Sequence, residues 1–307
     1  MAIGTPVQTA IVFACDEAYA FLAQGLVLSL ADAGYPNGNA KLFLIDIGCG
    51  PQTTAWMTER AVNIVPFDAT LIPEKVMSVI SPVQRAQVVR PWLPDLFPGF
   101  ELLIWLDCDL WLQNAEVIHH ITAGANVLPQ AVIAAPAISN YHLRFYLKGG
   151  IEGLLTMQRL WYASCYDEDF ANEISNVMHY SSGVVGMRRS SPVWALWRQE
   201  IEQVYPVMAA RDRRMLHLAE QIALNAVIFR TDQIVRLDPL YNFHCNGGGA
   251  VRIANGQVMT NLMLPVREIG VVHLANWSHL RRQYIQNRLL YRGGDYLPPT
   301  ELQRLAQ

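Results

Sequence analysis

The sequence predicts an α/β protein built on a mainly parallel sheet with helices on both faces. Three observations predict it. Short apolar runs alternate with helix-like segments at the spacing of crossover connections. The runs are continuous rather than alternating in polarity, as in strands covered on both sides. The 307-residue chain is 52% hydrophobic and 16% charged, a composition that excludes disorder and allows a large core.

The first predicted strand, Ala10–Ala14, runs directly into a helix over Ala18–Ala33. Strand Leu42–Asp46 leads to helix Thr53–Glu59, and strand Val62–Pro66 to helix Pro82–Leu93. Leu102–Leu106, Val132–Ala135, Gly183–Met187 and Ile269–His273 are further strands, and helices dominate Ser139–Phe229. The stretch Val117–Leu143 holds no Asp, Glu, Lys or Arg. Gly124, Pro129 and Pro136 break it, and its histidines and asparagines are costly in lipid, so it reads as buried core. The first ten residues carry no Lys or Arg and make a poor signal peptide. Lys plus Arg is 23 against 26 acids, a net charge of −3 that offers no global pull toward nucleic acid. Five scattered cysteines without a C-x-x-C pair argue against a disulfide framework and a structural zinc site. A reducing, cytoplasmic setting is expected.

In open parallel sheets ligands sit at the carboxyl ends of the strands, so the residues after each strand are the ones to search. Asp107-Cys108-Asp109 follows the wholly apolar run Leu102–Leu106. Two carboxylates there either share a face, if the strand continues, or converge in a tight turn. Among apolar neighbours they repel and are poorly solvated, and a hard divalent cation meets that need. The plainer account is a strand end followed by a turn cap. Asp167-Glu168-Asp169 has the same pattern in a polar, helix-like stretch, where a solvated face is the better account. At the first strand–helix junction, Asp16 and Tyr19 suit a nucleobase and ribose, or else Asp16 is an ordinary helix cap. His273 ends an apolar strand. It is a structural histidine, or a third ligand whose imidazole shifts preference from Mg²⁺ toward Mn²⁺. Gly247-Gly248-Gly249 lacks a strand–helix frame and reads as a loop.

These pieces, in this order from Ile11 to about His279, resemble family 8 of the retaining glycosyltransferases. That family includes glycogenin and the bacterial lipooligosaccharide galactosyltransferases, and its fold is GT-A. Besides the strand with its acid and tyrosine and the D-x-D, the resemblance rests on Val89–Leu96 before the D-x-D strand, Tyr180-Ser181-Ser182-Gly183-Val184-Val185, Glu220–Asn225 and Val272–His279. It implies Asp107, Asp109 and His273 as ligands of Mn²⁺, with Mg²⁺ as the alternative. It implies Ala14, Asp16 and Tyr19 as the uridine site, with Arg90, Cys108, Ser181 and His279 among the nucleotide-sugar contacts. Glu220 and Gln221 correspond to the acid–amide pair beside the reacting sugar. For Arg90 the plain alternative is an exposed helix end before Pro91, and for Glu220 and Gln221 a solvent-facing helix surface.

The sequence departs from the family at four places. Ser181 stands where Asn or Asp is common, Ile222 replaces the second acid of D-Q-D, Asn276 replaces a glycine, and His279 replaces the lysine that clamps the diphosphate. The expectation is a Mn²⁺-dependent retaining transfer of glucose or galactose from a UDP-hexose to a saccharide or lipid-linked acceptor. Its rival is a nucleotide-sugar-binding protein that has lost transfer. A metal-dependent phosphohydrolase lacks the further carboxylates of a two-metal site. Residues 1–275 are expected to form the catalytic domain and 276–307 a tail. The tail carries five arginines against two acids, interleaved with Trp277, Tyr284, Leu289, Leu290 and Tyr291. Such a tail suits peripheral contact with an anionic membrane, or else its aromatics dock on the domain while its arginines are solvated.

Overall fold

The structure is a computed structural model that describes residues 7–137, 143–244, 251–254, 258–261 and 267–274. The tail, His279 and the glycine run therefore lie outside the described residues.

The chain opens with β1 (Thr9–Cys15), α1 (Ala20–Asp32), β2 (Ala40–Asp46), α2 (Pro51–Glu59) and β3 (Val62–Pro66). A broken helical stretch, α3 (Glu74–Met77), α4 (Arg85–Val88) and α5 (Leu93–Leu96), leads to β4 (Leu102–Leu106), β5 (Leu110–Leu112), α6 (Glu116–Val127) and β6 (Val132–Pro136). Then come α7 (Leu143–Ala163), α8 (Glu168–Ile174), β7 (Tyr180–Arg188), α9 (Val193–Arg211), α10 (Ala219–Thr231), β8 (Ile234–Arg236), β9 (Phe243–His244), β10 (Val251–Ala254), β11 (Val258–Asn261) and β12 (Val271–His273).

Seven strands form the central sheet in the order β3-β2-β1-β4-β7-β6-β8. Four of its six pairings are parallel, as expected for a mainly parallel sheet, and β7 runs antiparallel to both β4 and β6. Side chains alternate across β1: Ala10, Val12 and Ala14 join one core, Ile11, Phe13 and Cys15 the other. Residues of α9 and α10 fill the first core and residues of α1 and α6 the second, so both faces are covered.

Three expectations are corrected. Pro82–Leu93 is not one helix: a 3₁₀ turn at Pro82–Gln84 leads into α4, and a second at Arg90–Trp92 ends it, where Pro91 lacks the amide hydrogen that a continuous helix needs. The strand ending at His273 does not join the central sheet but pairs with β5 and β9 in a second, three-stranded sheet. Gly183–Met187 lies inside a longer strand, and that strand is antiparallel. Asp167-Glu168-Asp169 lies, as expected, at an exposed helix surface, and Asp167 caps that helix by accepting the Phe170 amide at 2.8 Å.

The reversed β7 positions the site. Its first residues lie beside the carboxyl end of β4, with Leu106 opposite Val184. The Asp107 amide donates to the Gly183 carbonyl at 2.8 Å.

Candidate active site

The carboxyl ends of β1 and β4 border a cleft of about 250 Å³. Ala14, Asp16 and Tyr19 line it together with Asp107, Cys108, Asp109 and His273, and Val83, Gln87 and Arg90 complete the lining.

The strand stops at Leu106, and the two aspartates converge in a turn closed by the Leu110 amide on the Asp107 carbonyl (3.2 Å). β5 then pairs antiparallel with β12, which puts His273 opposite Leu110, and the Leu274 amide donates to the Asp109 carbonyl at 3.0 Å. A sequence separation of 164 residues between Asp109 and His273 closes in this way. His273 Nε2 lies 3.2 Å from Asp109 Oδ1 and 3.9 Å from Asp107 Oδ2. One donor atom from each of the three residues falls within 4.8 Å of the others. His273 Nδ1 meets Asn242 Oδ1 at 2.8 Å; with the proton on Nδ1, Asn242 accepts that hydrogen bond and the Nε2 lone pair faces the carboxylates. Two hard oxygens and one imidazole nitrogen suit Mn²⁺ or Mg²⁺, so the residues present fit a divalent cation.

One oxygen of Asp107 is already committed. Arg90 Nη2 at 2.5 Å and Trp105 Nε1 at 2.8 Å both donate to Oδ1, leaving Oδ2 on the side of His273. Arg90 is buried, not an exposed helix end, and its Nη1 donates to Ser182 Oγ (2.5 Å) and Glu220 Oε2 (2.8 Å). Burial works against the Arg90 charge, but the carboxylates of Asp107 and Glu220 outweigh it and hold its pKa above the ordinary range. Glu220 is likewise only 2% exposed, which overturns the solvent-facing alternative for that residue. Burial pushes its carboxyl up to about 7 against the opposing pull of Arg90 and the Ser182 hydroxyl.

Gln221 is half-buried beside it, its Oε1 accepting the Ser182 amide at 3.1 Å. Its Nε2 meets His179 Nε2 at 2.9 Å, and His179 Nδ1 meets the Tyr162 hydroxyl at 2.7 Å. Burial holds the His179 pKa down to about 3, so the ring is neutral and accepts from the Gln221 amide.

The residues named from the sequence thus fall into two layers. Ala14, Asp16, Tyr19, Arg90, Asp107, Cys108, Asp109 and His273 line the cleft, and Glu220 and Gln221 stand behind Arg90 and Ser182. Asp16 also caps the turn at Glu17–Tyr19, accepting the Tyr19 amide at 3.1 Å, as its plainer reading expects. Ser181 is buried and its Oγ accepts the Gly183 amide at 3.1 Å; the serine that reaches Arg90 and Glu220 is Ser182. Sequence reading also missed Trp105, Asn242 and His179.

No family model and no curated protein sequence matches the chain. Solved structures do. The chain is similar to the galactosyltransferase LgtC in complex with donor and acceptor sugar analogues, with 14% identity, 97% of this chain and 95% of that one covered, and a TM-score of 0.55. It is similar to the bifunctional glycosyltransferase WbbM at 12% identity and a TM-score of 0.59, covering 99% of this chain and 53% of that one. Mouse xyloside xylosyltransferase 1 gives 13% identity, coverage of 88% and 98%, and a TM-score of 0.50. At these identities the likeness establishes the fold, which is GT-A.

Proposed function

We propose that the chain is a metal-dependent retaining glycosyltransferase that moves a hexose, glucose or galactose, from a UDP-sugar to a saccharide or glycolipid acceptor. One observation carries the reading: Asp107, Asp109 and His273 converge within a cleft that Asp16 and Tyr19 also line, in a GT-A frame. A divalent cation held by those three side chains would neutralise the charge that builds on the leaving diphosphate.

The chain's own groups do the rest. The Asp16 carboxylate and the Tyr19 ring receive the ribose and base. Arg90 spends both terminal nitrogens on Asp107, Ser182 and Glu220, so it acts by fixing Asp107 Oδ2 toward the cation site rather than by gripping phosphate. Glu220 and Gln221, one layer behind, place a carboxyl group, partly ionised near pH 7, and an oriented amide toward the sugar, where positive charge develops in an oxocarbenium-like transition state. Their fixed partners set those groups in place before reaction.

A second reading is a nucleotide-sugar-binding protein impaired in transfer. Ser181 is tied to the Gly183 amide, and Ile222, where a second acid would stand, is fully buried in the core.

Calorimetric titration with UDP tests the first reading. Binding should require Mn²⁺, and Asp109→Ala should weaken it at least about tenfold, roughly 1.4 kcal/mol. Equal affinity with and without metal overturns it. Hydrolysis of UDP-glucose or UDP-galactose then separates an active transferase from an impaired binder.

No helix among the described residues is long and apolar enough to cross a membrane. The basic tail would supply peripheral contact instead, at the inner face of the membrane where a lipid-linked acceptor is met. Anionic vesicles should sediment the full chain at low salt and leave a chain ending at Ser278 in solution. If both stay in solution, the acceptor is not membrane-bound through this tail.

A further inference from the structure

Next to Asp16, two thiols touch. Cys15 is the last residue of β1, 2% exposed and part of the cleft lining. Cys49 follows Gly48 in the loop after β2 and is half-exposed. Their sulfurs lie 3.5 Å apart, and Cys49 Sγ is also 3.3 Å from the Cys15 carbonyl. The contact and burial together hold the Cys15 thiol well above the ordinary thiol range, so Cys15 stays protonated and Cys49 is the member that meets solvent.

The Cys49 loop is bound to the segment that carries Asp16. The Ile47 amide donates to the Cys15 carbonyl (3.2 Å), the Glu17 amide to the Gly48 carbonyl (3.1 Å), and the Gly50 amide to Glu17 Oε2 (2.6 Å). Gly48 has φ of +138°, a conformation that favours glycine and sets the loop's direction. Three hydrogen bonds thus tie the Cys49 loop to Cys15 and Glu17, on either side of Asp16.

We propose that Cys15 and Cys49 are an oxidisable dithiol pair whose conversion to a disulfide weakens nucleotide binding in the cleft. The oxidant is a hydroperoxide. The Cys49 thiolate attacks the peroxide oxygen, the O–O bond breaks, and the departing hydroxide takes a proton, leaving a sulfenic acid. Cys15 Sγ then attacks that sulfur, the S–O bond breaks, and the Cys15 proton leaves with the oxygen as water. With hydrogen peroxide the sum is two thiols plus one peroxide giving one disulfide and two waters. A small dithiol reverses it. The 3.5 Å contact must close to the ~2.05 Å of a disulfide, a shift of about 1.5 Å shared between the end of β1 and the Cys49 loop. Asp16 adjoins Cys15 and moves with it. In a reducing compartment the pair stays open until oxidant rises. The effect on nucleotide rests on the UDP reading above, whereas the disulfide does not.

The test uses the full chain, reduced and then treated with hydrogen peroxide. Mass spectrometry of alkylated peptides should show a Cys15–Cys49 link and the loss of two hydrogens. UDP affinity in Mn²⁺ should fall on the order of tenfold, within the usual range of coupling between sites, and return with dithiothreitol. Cys49→Ser should bind UDP as the reduced protein does and ignore peroxide. A link mapping to Cys108 instead, or no link, overturns the pair. A Cys15–Cys49 link with unchanged UDP affinity overturns its control of the cleft. UDP binding by the reduced protein is measured first and judges the nucleotide reading separately.

Discussion

Arg90 shows how a single side chain can serve a site without gripping a ligand. Its guanidinium joins the two carboxylates Asp107 and Glu220, which would otherwise repel inside the protein, and it lies over the Trp105 ring at 5.0 Å. Removing one partner of such a buried set costs about 3–5 kcal/mol, because it strands a charge rather than merely losing a contact. The same cluster explains what was legible in the sequence at this scale. Asp107 and Asp109 could be found because two acids after five apolar residues are electrostatically anomalous. His273 could be found because a strand ends on it. Ser182 could not be told from Ser181, because the two differ only in which face of β7 they occupy. His179 and Asn242 bear on the site only through other side chains, Gln221 and His273, and no local pattern marks such a role.

At the scale of elements, β7 carries two constraints that only glycine meets. A Cβ on Gly183 would lie 2.7 Å from Asp107 Oδ2 and 2.8 Å from His273 Cε1. A Cβ on Gly186 would lie 2.1 Å from Ile121 Cγ2, inside the contact between β7 and α6. The two alanine variants should therefore fail differently. Gly186→Ala should overpack the core, cost about 1–3 kcal/mol and lower the melting temperature, with partial recovery on adding Ile121→Ala. Gly183→Ala should push the carboxylate and imidazole apart and lose Mn²⁺-dependent UDP binding with a smaller change in melting. Equal loss of UDP binding in both variants would sink this division of labour. The strand itself was legible from its apolar run, whereas its direction was not. Direction is set by the path of the chain through α7 and α8, and an apolar run reads the same either way. The helix expected over Pro82–Leu93 failed for a local reason that was visible, since Pro91 removes an amide donor, and the apolar pattern outweighed it in the reading.

For the whole molecule, two of the buried titratable groups near the site, Glu220 and His179, pull stability in opposite directions with pH. Glu220 titrates near 4.5 when unfolded and about 7 when folded. The folded state thus holds the extra proton, and stability falls as pH rises from about 4.5 to 7. His179 titrates near 6.5 when unfolded and about 3 when folded. Here the unfolded state holds the extra proton, so stability rises with pH from about 3 to 6.5. Each proton contributes a slope of about 1.4 kcal/mol per pH unit, and between about 4.5 and 6.5 the two slopes cancel. Single substitutions should expose them. Relative to the parent protein, Glu220→Gln should gain stability as pH rises through that window, reaching about 3 kcal/mol by pH 7. Its mean level is set separately by the altered pair with Arg90. His179→Gln, which keeps a polar partner for Gln221, should lose stability relative to the parent over pH 3 to 6.5. Denaturant midpoints measured for the three proteins at half-unit steps of pH provide the check. The decisive feature is the opposite sign of the two difference curves. Two flat curves would mean that neither group changes its proton affinity on folding, and the charge arrangement behind Arg90 would have to be redrawn.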